Sequence, residues 1–348
     1  MTTLAIQCDV PLAPLTTLEL GGPARHFVRA QDERTLTEAL EWAADRVLPM
    51  VILAGGSNVI VPDEGYDGLV INMEIGGIEL EEVGVVQAGA GVPWEAVVDE
   101  AVSRGWAGLE CLTGIPGSTG ATPIQNVGAY GQEVSEVIER VRVLDRHTLS
   151  FESLAPADCA FAYRSSLFKR SPERFIVCAV RFRLRPHGVG TIRYAELERA
   201  LPAKASLSEI RSTVLALRRR KSMVLDPEDP NRRSAGSFFV NPVVSVAEAD
   251  RIAEQAARDG LVAAPEEVPR FAAGPDRVKL AAGWLVEKVG IAKGSRRGAI
   301  GVSSKHALCL VHHGGGTTTE LLAFANEIRA RVEDRFGVVL EREPQLLV

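Results

Sequence analysis

The chain has 348 residues, more than one ordinary domain needs, so two or three domains are expected. Hydrophobic residues make up 46% and charged residues 24%, the balance of a globular protein with a sizeable core. A formal charge of −6 without a Lys/Arg-rich tail argues against a nucleic-acid partner, and no apolar run approaches the roughly 20 residues that span a bilayer.

The N-terminal MTTLAIQCDV lacks the basic region and long apolar run of a signal peptide, so a cytoplasmic protein is expected. Cys8, Cys111, Cys159, Cys178 and Cys309 form no C-x-x-C pair, and an odd, dispersed set reads as buried free thiols in a reducing compartment.

In chain order, the first third reads as short strands joined by glycine turns. VILA (51–54) ends in GGSN (55–58) and VIV (59–61), followed by GLVINM (68–73) and VVQAGAG (85–91). Pro93 stands at the N1 position of a helix carrying Trp94, Val97, Val98, Ala101 and Val102 up to Arg104-Gly105. Residues 108–131 hold six glycines and two prolines. A stretch this long with little to pack is usually functional, and apolar Ile115, Ile124 and Val127 argue that it is ordered. Strands resume at VRVLD (141–145) and FIVCAVRFRL (175–184).

After Arg185-Pro186 the texture changes, and a separate α+β domain is expected from about residue 190. Helical periodicity covers 207–222, with Ile210, Val214 and Leu217 on one face, then 246–260 and 281–290. HALCLVHH (306–313) reads as a strand. A capping box at 317–320 opens a helix with Leu321, Leu322, Ala325, Ile328, Val332 and Phe336 inward, and Gly337 stops it.

Two glycine loops stand out, AGGSN (54–58) and GIPGSTGATPIQN (114–126). Glycine admits positive φ and lets backbone N–H groups converge on an anion. Either loop alone reads equally as a structural turn; two in one domain favour a dinucleotide held by backbone amides. Neither is a Walker sequence, and no G-x-G-x-x-G opens a helix, which disfavours a Rossmann site. Tyr163, Arg164 and Lys169 lie close together in AYRSSLFK, and RRRK (218–221) ends a helix; both have ordinary surface readings. His312-His313 lacks partners at ligand spacing, so no metal is expected. Ser237, in SAGSFFVNP, has Phe238 and Phe239 after it and fits no G-x-S-x-G turn.

The segments TTLELGGPA (16–24), LAGGSNVIV (53–61), GLECLTGIPGSTGATPIQNVGAYGQEV (108–134), AYRSSLFK (162–169), GSFFVNPVVS (236–245) and AAGWLVEKVGIAKG (281–294) resemble the UDP-N-acetylenolpyruvoylglucosamine reductase family. VSSKHALCLV (302–311) and FGVVLEREPQLL (336–347) extend the likeness to the C-terminus. The resemblance implies an α+β protein with a two-subdomain FAD-binding region of the PCMH, vanillyl-alcohol-oxidase-like type and a C-terminal α+β substrate domain. The boundaries expected are 1–75, 76–190 and 191–348, the last segment returning to the active site.

It further implies non-covalent FAD, NADPH as co-substrate, an enolpyruvyl UDP-sugar as substrate, a monomer, and a place in peptidoglycan precursor synthesis. FAD falls to Gly55, Gly56, Ser57, Asn58, Ile115, Pro116, Gly117, Ser118, Thr119, Gly120, Gln125, Asn126 and Gly128. Substrate falls to Tyr130, Tyr163, Tyr194, Lys221, Asn241, Lys293 and His306. Ser237 becomes the proton donor to a substrate enolate, and Arg164 binds the carboxylate on which charge collects. Glu343 donates a hydrogen bond, for which it must be protonated, or orients Arg164. A flavin oxidase of the same cofactor fold is the second reading, and a binding protein without activity the third. GSFFVNP and Glu343 have no place in the former, and Ser237, Arg164 and Glu343 together argue against the latter.

Overall fold

The strand Pro23–Ala30 turns Ala24, Phe27, Val28 and Ala30 inward. In the computed structural model, which describes residues 4–348, it pairs antiparallel with Gln7–Pro11 and parallel with Tyr66–Met73. Met50–Leu53 lies parallel on the far side of Tyr66–Met73. Parallel neighbours need a crossover, and helix α1 (Glu33–Ala44) supplies one. Asp32 caps it by accepting the Thr35 N–H at 2.6 Å, while Leu36, Ala39, Leu40 and Ala43 form its buried stripe. The strand-rich reading of the first third overlooks this helix, whose charged and apolar faces are so evenly matched that no apolar run marks it.

A second, antiparallel sheet runs in the order Ser150–Leu154, Ile138–Asp145, Phe175–Arg183, Val85–Gly89, Ile78–Glu82. Helix α2 (Trp94–Ser103) shares its core through Trp94, Val97, Val98 and Ala101. Pro93 is the residue before that helix and not its first turn, with ψ at 130°. Helix α3 (Leu167–Arg170) is a single turn; α4 (Ala195–Ala200) and α5 (Leu207–Arg220) close a smaller core around Cys111, Leu197, Ile210, Val214 and Leu217.

These elements form one compact unit: residues 4–11, Pro23–Gly56 and Gly65–Leu225. Residues 191–225 therefore fold with the N-terminal sheets, whereas the change of texture at 185–186 placed them with the C-terminal domain. Helical period shows that a face is buried, not which partner buries it.

The other unit is Leu12–Gly22, Ser57–Glu64 and Asp226–Val348. Its antiparallel sheet has the order Ser234–Ser237, Cys309–His312, Ile300–Val302, Arg296–Arg297, beside a three-stranded sheet of Val243–Ser245, Arg277–Leu280 and Arg270–Ala272. Helices α6 (Val246–Arg258), α7 (Ala282–Lys288) and α8 (Thr318–Phe336) complete it. Thr317 and Glu320 make the expected capping box, and Gly337 ends α8 at φ 73°. Asp63 adds a second cap, accepting from Thr318 N at 2.6 Å and Thr319 N at 2.8 Å. Leu18, Leu20 and Ile60, from the two early segments, are buried with Phe238, Phe239 and Phe336. His312 is a tether in this unit: its Nε2 accepts the Gly316 N–H at 3.1 Å, so its Nδ1 donates to Leu18 O at 3.0 Å.

Candidate active site

The two glycine loops touch backbone to backbone within the first unit. A Cβ on Gly55 would stand 2.8 Å from Gly117 Cα and 3.0 Å from Ser118 N, so only glycine fits. Gly56 and Gly117 both take positive φ, 64° and 122°. The second loop is fixed from beneath. Thr119 N and Oγ1 donate to Val92 O at 2.8 and 2.9 Å, Gly120 N donates to Ala90 O at 2.9 Å, and Gly117 O accepts from Trp94 N at 3.0 Å. Glu95 accepts the Thr113 hydroxyl at 2.6 Å and the Gly114 amide at 2.5 Å, and is itself held by Arg211 at 2.7 Å. The amides of Gly56, Gly117 and Ser118, by contrast, bond to nothing among the described residues. Ser118 Oγ is buried and also lacks a partner there.

The expected cofactor and substrate residues beyond this loop build a second cluster. Gly128–Ala129 pairs with Gln132–Glu133, and the turn between them holds Tyr130 and Gly131 at φ 50° and 80°, the twist a two-residue hairpin prefers. Arg164, also left-handed at φ 52°, donates from Nη2 to Gly128 O at 2.8 Å. Non-glycine residues in this region are strained, which is commonest where function demands it. A side chain at 128 would meet Arg164 Nη1 at 3.3 Å, so Gly128 is where the guanidinium rests. Asn126 is buried and its amide bonds Glu133 at 2.8 Å and Ala162 O at 3.2 Å, tying the hairpin to the Tyr163–Arg164 turn. Tyr163 lies under the Arg164 guanidinium, 5.4 Å from ring centre to Cζ.

Tyr130, Tyr194 and Lys221 meet as well. The two rings stand edge to face at 5.4 Å, and Lys221 Nζ sits 5.9 Å from the Tyr130 ring while pairing with Glu196 at 2.7 Å. Burial pushes the Tyr130 phenol up to about 12, so it stays a neutral hydrogen-bonding group.

On the second unit, Ser237 closes its strand opposite Cys309, directly after Gly236 at φ 73°. Phe238 N donates to Leu308 O at 2.7 Å, and Phe238 O accepts Glu343 N at 3.0 Å. Val240 N reaches Glu341 O at 3.0 Å. The C-terminal segment thus runs as a ladder beside SFFV, with Glu343 bonded to the residue after the serine. Asn58 Nδ2 reaches Glu343 O at 3.5 Å, and Gln345 N donates to Asn58 O at 3.0 Å, fixing the same segment from its other side. Three expected substrate residues here have structural partners. Asn241 Oδ1 accepts the Ala282 amide at 2.9 Å and caps α7, His306 Nδ1 accepts the Leu308 amide at 3.1 Å, and Lys293 pairs with Glu287 at 3.6 Å. The cysteines take no part. Burial raises Cys111, Cys159 and Cys178 to about 12 and Cys309 to about 11, whereas Cys8 departs from expectation by being exposed.

The profile of an FAD binding domain matches residues 24–148, and that of the UDP-N-acetylenolpyruvoylglucosamine reductase C-terminal domain matches 227–347. The chain is similar to UDP-N-acetylenolpyruvoylglucosamine reductase of Streptomyces coelicolor, 46% identical over 97% of this chain and 88% of that one. It is 44% identical to that of Thermobifida fusca over 99% of each. The chain belongs to the UDP-N-acetylenolpyruvoylglucosamine reductase family. The crystal structure of UDP-N-acetylenolpyruvylglucosamine reductase from Thermus caldophilus superposes with a TM-score of 0.69 at 26% identity, covering 99% of this chain and all of that one.

As a member of this reductase family the chain is an oxidoreductase with an FAD-binding domain, and its glycine loops suit that cofactor. Close-packed glycines, unpaired amides and the orphan Ser118 hydroxyl are what a pyrophosphate takes up.

The sequence reading missed Glu110. Its carboxylate is fully buried and accepts from Gly108 N at 2.7 Å, Thr191 N at 2.7 Å and Gln132 Nε2 at 3.2 Å. It thereby ties the start of the long loop to the Tyr130 hairpin and to the segment leading to Tyr194. A lone acid inside LECL was the available signal.

Proposed function

We propose that the chain reduces an enolpyruvyl UDP-N-acetylglucosamine to UDP-N-acetylmuramate, a peptidoglycan precursor, in the cytoplasm and as a monomer, with NADPH as co-substrate. FAD bound without a covalent tether, at the loops of Gly55–Gly56 and residues 115–120, supplies the hydride chemistry. The protein's own residues bind, orient and protonate.

The Arg164 guanidinium is always charged and is anchored on Gly128 O, and a fixed positive charge suits a carboxylate on which enolate charge accumulates. Ser237 delivers a proton to the α-carbon. A hydroxyl is a weak acid, but the enolate of a carboxylate is a strong enough base to need no imidazole partner. Glu343 serves the same step, as hydrogen-bond donor when neutral or as an orienting group. Lys221, Tyr130 and Tyr194 form a cation-and-aromatic set suited to a sugar diphosphate, and Tyr163, against Arg164, is proposed to contact the same substrate.

The observation that carries this reading is the ladder placing Glu343 beside Phe238, one residue from Ser237. Two catalytic candidates separated by about a hundred residues are thus pinned by main-chain bonds. The purified protein should be yellow and should oxidise NADPH only when the enolpyruvyl substrate is added. A colourless protein, or one passing electrons to oxygen at full rate without that substrate, would sink the reading and favour an oxidase.

A further inference from the structure

Helix α8 and the C-terminal segment enclose a cleft of about 350 Å³ lying wholly within the second unit. Asn326 and Arg329 of α8 line it together with Arg342 and Gln345, and Phe238 and Phe239 contribute apolar wall. Ser237 and Glu343 do not line it.

Neighbouring arginines on the same helix are consumed by carboxylates: Arg331 pairs with Glu327 at 2.6 Å and Arg335 with Asp259 at 3.3 Å. Arg329 and Arg342 differ. Among the described residues neither has a carboxylate within 4.0 Å, although Glu341 lines the same cleft. Arg329 Nε is buried with no acceptor, as is Arg335 Nε, but Arg335 has the Asp259 carboxylate and Arg329 has none. A guanidinium cannot shed its charge to escape this. An oxyanion in the cleft would supply the counter-charge that both guanidiniums lack.

We propose that this cleft binds a phosphate-bearing small molecule, with Arg329 and Arg342 on the phosphate and the Asn326 and Gln345 amides beside them. Two guanidiniums carry two positive charges, which one carboxylate only half neutralises and a phosphate of charge about −2 matches. The cleft wall is the same ladder in which Phe238 O accepts Glu343 N at 3.0 Å. An occupant therefore braces the strand pair carrying Ser237 and Glu343, which makes the cleft an effector site.

The test is calorimetric titration of the FAD-loaded enzyme with inorganic phosphate and pyrophosphate, with acetate as the carboxylate control. It is run with and without saturating UDP-N-acetylmuramate, which fills the substrate site under the function proposed above. One phosphate or pyrophosphate should bind per chain even with that product present. Arg329→Gln should weaken it about tenfold or more, the loss expected for a charge-assisted bond, and leave the substrate KM unchanged. Saturating phosphate should alter substrate-driven flavin reoxidation in the parent enzyme and not in Arg329→Gln. Abolition of phosphate binding by the product, its survival in Arg329→Gln, or equal binding of acetate would overturn the site. Unaltered reoxidation would overturn its effector role. Arg342→Gln repeats the test should Arg329→Gln unfold. If UDP-N-acetylmuramate itself fails to bind, the proposed function falls, and the Arg329→Gln comparison without product still decides the cleft.

Discussion

The site residues on the two units are held by opposite means. On the first unit the backbone is the working surface. Gly55 and Gly117 are pressed together, Tyr130 and Arg164 adopt left-handed conformations, and a buried Glu110 collects three donors beneath them. On the second unit a ladder, bent at Gly236, presents the side chains of Ser237 and Glu343, to which the proposed function gives the proton step. A backbone site tolerates no added methyl but survives many side-chain changes nearby; a side-chain site behaves the other way round.

Substitutions sort the two kinds of site by size of effect. Ser237→Ala should break the second-unit chemistry alone. Reoxidation of flavin by substrate, followed by stopped-flow absorbance, should slow by roughly 10²–10⁴-fold, the usual worth of a positioned acid, while FAD content and reduction by NADPH are unchanged. Collapse of the NADPH half-reaction instead would make Ser237 a structural residue. Glu110→Gln tests the support of the first-unit cluster. Placing an amide where Gly108 N and Thr191 N donate should cost on the order of 3 kcal/mol in denaturant unfolding and raise the substrate KM, with FAD retained. A stability loss with unchanged KM would confine Glu110 to the core.

Gly55→Ala should be milder in stability, about 1–3 kcal/mol for an overpacked contact, but its signature is specific: the isolated protein should lose its flavin absorbance. Retained FAD would mean that the loop contact is not the cradle. Asp63→Ala, away from either cluster, should cost only about 1 kcal/mol through loss of the α8 cap, read as a lower Tm. Burial raises the Asp63 carboxyl, but the hydrogen bonds from Thr319 and Thr318 outweigh it and hold the group below its usual range. The carboxylate's contribution is therefore present above the ordinary Asp value near about pH 4 and is lost as pH falls through the lower folded value. The difference in Tm between parent and Asp63→Ala should narrow on acidification and not on alkalinisation.

Much of this was readable locally. Thr317, Glu320 and Gly337 delimit α8 by chemistry contained in a few residues, and the stripes of α2 and α5 follow from spacing alone. The glycine loops declared themselves by composition. Glu110 did not, because a buried acid and a solvated one look the same until the donors around it are known. Asn241 and His306 read as substrate groups, yet their partners, the Ala282 and Leu308 amides, show them shaping α7 and the 303–309 turn.

By itself the sequence determined the class of chemistry, through segments from residue 16 to 347 that resemble one reductase family, and it determined most local elements, since caps and periodicity act over a turn or two. Tertiary structure decided membership and pairing. Residues 12–22 and 57–64 join a unit that otherwise begins at Asp226, residues 191–225 join the one before it, and Glu343 comes to lie one residue from Ser237 across a ladder. Such pairings rest on main-chain bonds and buried apolar contact between distant segments, which carry no signature in the residues that separate them.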